Sequence, residues 1–353
     1  MKLVGIGDLF IPHQFIAQGC APLAAQGVEV FTFDWQLSGF QELQEKNQAV
    51  EMGGAAAVNP PSAVFDAARQ ADILVTQFCP VSAALLDAAP RVKVVGVLRS
   101  GVENVDVAAA TARGVLVLNT PGRNADAVAD FAVGLLICEA RNIARGHHGL
   151  KGGRWLREYP NSGHILDLPG KTVGIVGLGD IGRRVARRLL GFEVSLLAYD
   201  PFVKSAPGGV ALVDLPTLMA ESDFVTLHAR LTKDTEGLIG RELLARMKPT
   251  AYLINTSRSA LVDERALYAA LAEKRIAGAA LDVFGKEPPG PEYPLVTLEN
   301  VTITPHMAGG SNDAFTNSPK LLAADVARLL AGSEPRAQVN REAFATARAR
   351  LLA

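Results

Sequence analysis

The chain has 353 residues, enough for two domains of ordinary size, and a formal net charge of −1, which supplies no basic field for nucleic acid and no acidic field for a cationic partner. Hydrophobic residues make up 49% and aromatic ones 6%, a balance that suits helices layered on parallel strands. The longest uncharged apolar run, residues 131–138, is far too short to span a bilayer, so a membrane-spanning helix is excluded.

Residues 1–120 read as a first α/β region. Short β-rich runs at 3–6, 28–33, 73–76, 92–97 and 115–118 alternate with alanine-rich stretches such as 63–71, which the run Asn59, Pro60, Pro61, Ser62 opens. That alternation predicts a parallel sheet without a glycine-rich phosphate loop. The start of the chain, MKLVGIGDLF, is read as a first strand rather than a signal peptide. Cys20, Cys79 and Cys138 show neither disulfide nor zinc spacing, and a cytoplasmic location is expected. Residues 125–145 then form one long amphipathic run, and 154–168 lack periodicity.

Residues 171–200 organise the rest. The apolar run 172–176 breaks at Gly177, and Gly177, Gly179 and Gly182 form a GxGxxG before a helical pattern over 183–190. The next strand, 194–198, leads to Asp200, placed where a carboxylate takes the ribose hydroxyls of NAD. Further strands are predicted at 224–227, 251–255, 279–283 and 301–304, then a helix at 314–331 and a charged tail. His228 ends one strand and is read chiefly as packing.

Three strand ends carry reactive side chains. Arg258 offers a planar fork to a carboxylate, His306 can exchange a proton with a hydroxyl, and Glu287 can fix the tautomer of that histidine. If these strands share the sheet that holds the dinucleotide, the set suits hydride transfer. No cluster of metal ligands is present, so no metal is expected.

At this point the chain resembles the D-2-hydroxyacid dehydrogenase family, through GKTVGIVGLGDIG, TLHARLTKDTEGLI, INTSRSALVDERAL, ALDVFGKEP and TPHMAG, across about residues 94–309. The resemblance implies an α/β protein of two doubly wound parallel-sheet domains. A Rossmann NAD domain, 121–306, would be inserted into a flavodoxin-like substrate domain built from 1–120 and 307–353. It implies that Arg258 binds substrate, that Glu287 orients His306, and that His306 is the acid/base. Asp180 and Ile181 would offer amides to the pyrophosphate, Thr256 would contact the cofactor, and Asp282 would hold the nicotinamide amide. Ser100 and Gly101 would take the substrate carboxylate, on a loop about two residues shorter than the family's RAGxGxDN. The partners implied are a small 2-hydroxy or 2-oxo acid and a second copy of the chain, joined through the long helix and the loop near Trp155. The NAD-sensing C-terminal-binding-protein corepressors share this fold, but the retained Arg258, Glu287 and His306 favour an enzyme. Formate dehydrogenases carry Gln where Glu287 stands. Glycerate or hydroxypyruvate, a phosphorylated acid and a longer sugar acid all remain open as substrate.

Overall fold

The computed structural model describes residues 1–352. The chain divides into two compact units, one from residues 1–123 with 311 onward, the other from Asn124–Gly310.

The first unit holds a five-stranded parallel sheet of β1 (Lys2–Gly7), β2 (Glu29–Asp34), β3 (Ile73–Thr76), β4 (Val94–Val97) and β5 (Leu116–Leu118), in the order β2-β1-β3-β4-β5. Neighbouring residues along a strand face opposite layers, as strand geometry requires. Leu3, Ile73 and Val94 pack with Ile16, Leu322, Val326 and Leu329, from the helices His13–Cys20 and Asn312–Leu330. Val4, Leu74 and Val95 face the other way, against Leu43, Val64 and Leu85. Each such buried side chain contributes roughly 1.5–3 kcal/mol. This explains why these strands are apolar on both faces.

The second unit holds seven parallel strands: β6 (Thr172–Val176), β7 (Ser195–Tyr199), β8 (Val210–Leu212), β9 (Phe224–Leu227), β10 (Tyr252–Asn255), β11 (Gly278–Leu281) and β12 (Val301–Ile303). Their order is β12-β11-β10-β9-β6-β7-β8, so the winding reverses between β6 and β9. Ala125–Ala140 and Asp180–Leu189 cover one face, through Ala132, Leu136, Val185 and Leu189. Leu215–Glu221 and Glu264–Ala272 cover the other, through Leu218, Leu267 and Leu271.

Three local expectations need correction. The single run over 125–145 is two helices, Ala125–Ala140 and Ile143–Lys151, parted at Asn142, whose φ is 55°. The turn brings Arg145 back onto the fully buried Glu139, to which its Nη2 donates at 2.9 and 3.0 Å, while Thr302 Oγ1 donates to the same carboxylate at 2.5 Å. Ending the helix therefore gives a buried carboxylate its counter-charge. The charged tail includes the helix Phe344–Leu352, whose Ala347 and Leu351 join the core, and Asn340 before it accepts the amide of Val117 at 2.7 Å. The edge strand β8 has no counterpart among the predicted strands, because Val210–Leu212 is three partly exposed residues between loops.

No helix among the described residues is long and apolar enough to cross a membrane, and all three cysteines are free.

Candidate active site

The parallel register lines up the functional residues of the second unit. Tyr199 pairs with Val176, Val176 with Leu227, Leu227 with Asn255, Asn255 with Leu281, and Leu281 with Ile303. The residues that follow these six, namely Asp200, Gly177, His228, Thr256, Asp282 and Thr304, therefore form one row along the carboxyl edge of the sheet. In open α/β sheets that edge, at the reversal point of the winding, is where ligands bind.

The three glycines of the turn have different causes. Gly177 has φ 91°, and a Cβ there would lie 2.6 Å from the backbone nitrogen of Ala229. A Cβ on Gly182 would strike the carbonyl oxygen of Gly177, so this glycine lets helix and strand meet. Gly179 differs: its φ is −76° and a Cβ would meet nothing within 4 Å. Neither conformation nor packing within the chain requires glycine there, whereas close approach of a phosphate does. Asp180 and Ile181 open the following helix, with amides that have no intrahelical acceptor. The Asp180 carboxylate itself turns to Arg184.

Asp200 is half-buried and anchored. Its Oδ2 accepts the amide of Leu178, inside the glycine turn, and its Oδ1 that of Phe202, both at 2.9 Å. Two further polar atoms of the row have no partner among the described residues. Thr256 Oγ1 is buried and unbonded, and His228 bonds Thr226 through Nε2 at 2.9 Å while its Nδ1 has none. Burial pushes the His228 imidazole down to about 3, so it is neutral at physiological pH. Orphaned buried polar atoms beside an open glycine turn are what a dinucleotide would satisfy, so this donor set fits NAD.

The reactive side chains lie beyond the same edge. Glu287 accepts the amide of Phe284 through Oε1 at 3.0 Å, and its Oε2 lies 2.6 Å from His306 Nδ1. That contact leaves Nε2 as the free ring nitrogen. His306 has φ 49°, a conformation that histidine adopts only when its surroundings hold it. Asp282 does the holding: its Oδ1 accepts from Thr304 Oγ1 at 2.5 Å and Met307 N at 3.0 Å, and its Oδ2 from Ala308 N at 2.8 Å. Asp282 is fully buried, and the contact with a nicotinamide amide expected for it would add to this clasp. Arg258 is exposed, and its one side-chain bond among the described residues is from Nη1 to the carbonyl of Ser257, at 2.7 Å. Its fork is otherwise open.

Ser100 and Gly101 belong to the first unit. Ser100 is exposed, with its carbonyl accepting from Asn119 at 2.6 Å. In that unit Asp8, Gln77, Arg99, Asn104 and Arg123 carry buried atoms without partners, which sequence reasoning misses. No run of polar residues marks them, and only burial reveals them. Among the described residues no group of three or more His, Cys, Asp or Glu could hold a metal ion.

Comparison with known proteins points to one family. The family model for the D-isomer specific 2-hydroxyacid dehydrogenase, NAD binding domain, matches residues 133–308. A D-3-phosphoglycerate dehydrogenase of Archaeoglobus fulgidus is 41% identical over 271 residues, covering 76% of this chain and 51% of that protein. A glyoxylate reductase of Korarchaeum cryptofilum is 41% identical over 292 residues, covering 80% of this chain and 87% of that protein. The chain thus spans about half the length of the first relative and most of the second. A crystal structure of a Thermus thermophilus protein matches with a TM-score of 0.72 at 31% identity, over 96% of this chain and 100% of that one.

Proposed function

The chain belongs to the D-isomer specific 2-hydroxyacid dehydrogenase family, and on that footing we propose that it interconverts a D-2-hydroxy acid and its 2-oxo acid with NAD. The observation that carries the reading is the Glu287–His306 pair lying beyond the same sheet edge as the glycine turn.

NAD, when bound, supplies or accepts the hydride exchanged with substrate C2. The protein does the rest. Gly179 leaves room for the pyrophosphate, the amides of Asp180 and Ile181 face it, and Gly177 and Gly182 set the turn that makes this possible. Asp200 takes the ribose hydroxyls and repels a 2′-phosphate, favouring NAD over NADP. Thr256 and His228 complete the cofactor's surroundings, and Asp282 holds the nicotinamide amide as well as shaping the loop around His306. Arg258 binds the substrate carboxylate and polarises the adjacent carbonyl, and Ser100 and Gly101 are taken as further substrate-binding residues. In oxidation His306 Nε2 takes the hydroxyl proton as the hydride leaves C2, and in reduction it returns a proton to the oxo group. Glu287 keeps Nδ1 engaged, so the other nitrogen does the exchange. The protein works in the cytoplasm as a homodimer, a reading supported by its free cysteines and by exposed apolar side chains at Ile143, Leu150 and Trp155.

The test is NADH oxidation across a panel of 2-oxo acids, with Arg258→Ala beside the wild type. Turnover by the wild type and a loss of at least about a hundredfold in the variant are expected, with NADH affinity by calorimetry unchanged. Absence of turnover with every acid removes the reading, and loss of NADH binding in the variant removes the role given to Arg258.

A further inference from the structure

The contact between Glu287 and His306 is open to solvent, with the glutamate side chain 36% and the histidine side chain 46% exposed. Pairs this open gain little from each other, too little to fix the geometry of both partners. Each side therefore needs a holder of its own. Asp282 holds the loop of His306 through the amides of Met307 and Ala308. Glu287 is fixed by the amide of Phe284, so its place is set by the backbone at 284 and 285.

That backbone is clamped from outside its own loop. Gly285 donates its amide to Glu264 Oε1 at 2.9 Å and to Tyr293 Oη at 3.1 Å, and Tyr293 Oη donates to the other oxygen of Glu264. Carboxylate and hydroxyl meet over one residue: a Cβ on Gly285 would lie 3.0 Å from Glu264 Oε2 and 3.2 Å from Tyr293 Oη. Burial and the bond to Glu264 push the Tyr293 phenol up to about 12, so it stays neutral and remains a donor. The Tyr293 ring stands edge-on to Phe284, with centroids 5.9 Å apart at 87°, and Phe284 is buried in the layer that includes Leu267 and Leu295. Residues 285–288 are exposed, and among the described residues the Gly285 amide is their one backbone group bonded elsewhere in the chain. The helix Glu264–Ala272 is capped by Asp263, whose Oδ1 accepts the amides of Arg265 and Ala266 at 3.0 Å, which frees the Glu264 carboxylate for the loop.

We propose that Glu264 and Tyr293 are positioning residues for the reaction: by fixing the Gly285 amide they set the turn from Phe284 to Glu287, and through it the contact of Glu287 with His306 Nδ1. The inference rests on the dehydrogenase reading above and extends it by two residues that act through Glu287.

The test is a double-mutant cycle on single-turnover NADH oxidation, with a 2-oxo acid that the wild type reduces, using Glu264→Ala, Tyr293→Phe and Glu287→Ala. Glu264→Ala should lower the rate about tenfold or more, and Tyr293→Phe, which keeps the ring against Phe284, roughly 2–10-fold. The KM for NADH should change by less than about twofold in each, since neither residue bonds the glycine turn. In the Glu287→Ala background both losses should shrink to less than about twofold, because nothing is left to position. Glu264→Gln keeps an oxygen for the Gly285 amide and should recover most of the rate. Equal losses in both backgrounds, or no loss in either single variant, overturn the proposal. A second readout needs no cofactor: in the ring-nitrogen NMR spectrum of neutral His306, the wild type should carry its proton on Nδ1, and Glu264→Ala should show the mixture of tautomers seen in Glu287→Ala. Should Glu264→Ala fail to fold, Tyr293→Phe carries both measurements. If the wild type reduces no 2-oxo acid, the dehydrogenase reading falls and the spectrum alone decides. A single tautomer retained in the variant, as in the wild type, overturns the positioning role.

Discussion

Glu287 and His306 are joined by a contact of 2.6 Å between Oε2 and Nδ1, and the other oxygen of that carboxylate is fixed by the amide of Phe284. The carboxylate is thus oriented before it orients the ring. Glu287→Ala should lower kcat by roughly 10–100-fold through lost alignment, and His306→Ala by roughly 10²–10⁴-fold through loss of the acid/base. The KM for NADH should change by less than about twofold in Glu287→Ala, since the glycine turn is untouched. Single-turnover rates are the appropriate readout, because slow cofactor release would mask the effect. A variant that kept full kcat would show that the pair is structural.

The glycines separate by what an added methyl group meets. Gly182→Ala would collide with the Gly177 carbonyl and should lower Tm, whether or not NADH is present. Gly179→Ala meets open space, so its Tm without cofactor should stay within about a degree of the wild type. Its NADH affinity should nevertheless fall about tenfold or more, since the methyl group occupies the approach to the phosphates. Melting curves with and without NADH distinguish the two, and unchanged affinity in Gly179→Ala would remove the phosphate assignment.

Asp200 accepts the amides of Leu178 and Phe202, and in the function proposed it also takes the ribose hydroxyls. Asp200→Ala should raise the KM for NAD about tenfold or more and narrow the preference over NADP. Stability should also drop by about 1–3 kcal/mol, as two amides lose a charged acceptor. Kinetics with both cofactors decide the matter. A wild type that already favours NADP contradicts the assignment.

His228 predicts a pH effect on stability. Its ionisation is held at about 3 in the folded chain against an ordinary value of 6.5, so between those limits the unfolded chain binds a proton that the folded chain does not. The stability associated with neutral His228 is complete above about 6.5 and is lost as pH falls towards 3, by about 2 kcal/mol between pH 7 and pH 5. Asp8 works the other way: raised from 3.8 to about 6, it favours folding fully below 3.8 and loses that contribution as pH rises through 6. His228→Gln should flatten the acid side of a plot of urea-unfolding free energy against pH by about that 2 kcal/mol. An unchanged slope would mean that His228 takes up a proton without unfolding.

Much of the architecture was legible because buried parallel strands are apolar on both faces, as in Ile73–Thr76 and Phe224–Leu227. The positions of Gly177, Asp200 and His306 past strand ends were legible because each follows a short apolar run. What escaped had no local signature. The break at Asn142 follows from the need of Glu139 for Arg145, and the helix Phe344–Leu352 owes its place to Asn340 and the core rather than to an apolar stripe. The clasp of Asp282 on the loop around His306 and the isolation of Asp8 and Arg123 depend on burial, which spacing does not encode.

The discontinuous first unit has a consequence for biosynthesis. The helix Asn312–Leu330 supplies Leu322, Val326 and Leu329 to the layer that contains Leu3, Ile73 and Val94. On the ribosome, the seven-stranded unit has all its residues once position 310 has emerged, while the sheet begun at Lys2 still shows an apolar face. The part translated first is therefore finished last. Until the closing helices arrive, that face is a surface for chaperones or for misassociation, so ribosome stalling between about residues 124 and 311 should yield nascent chains that hold chaperones through their earliest strands.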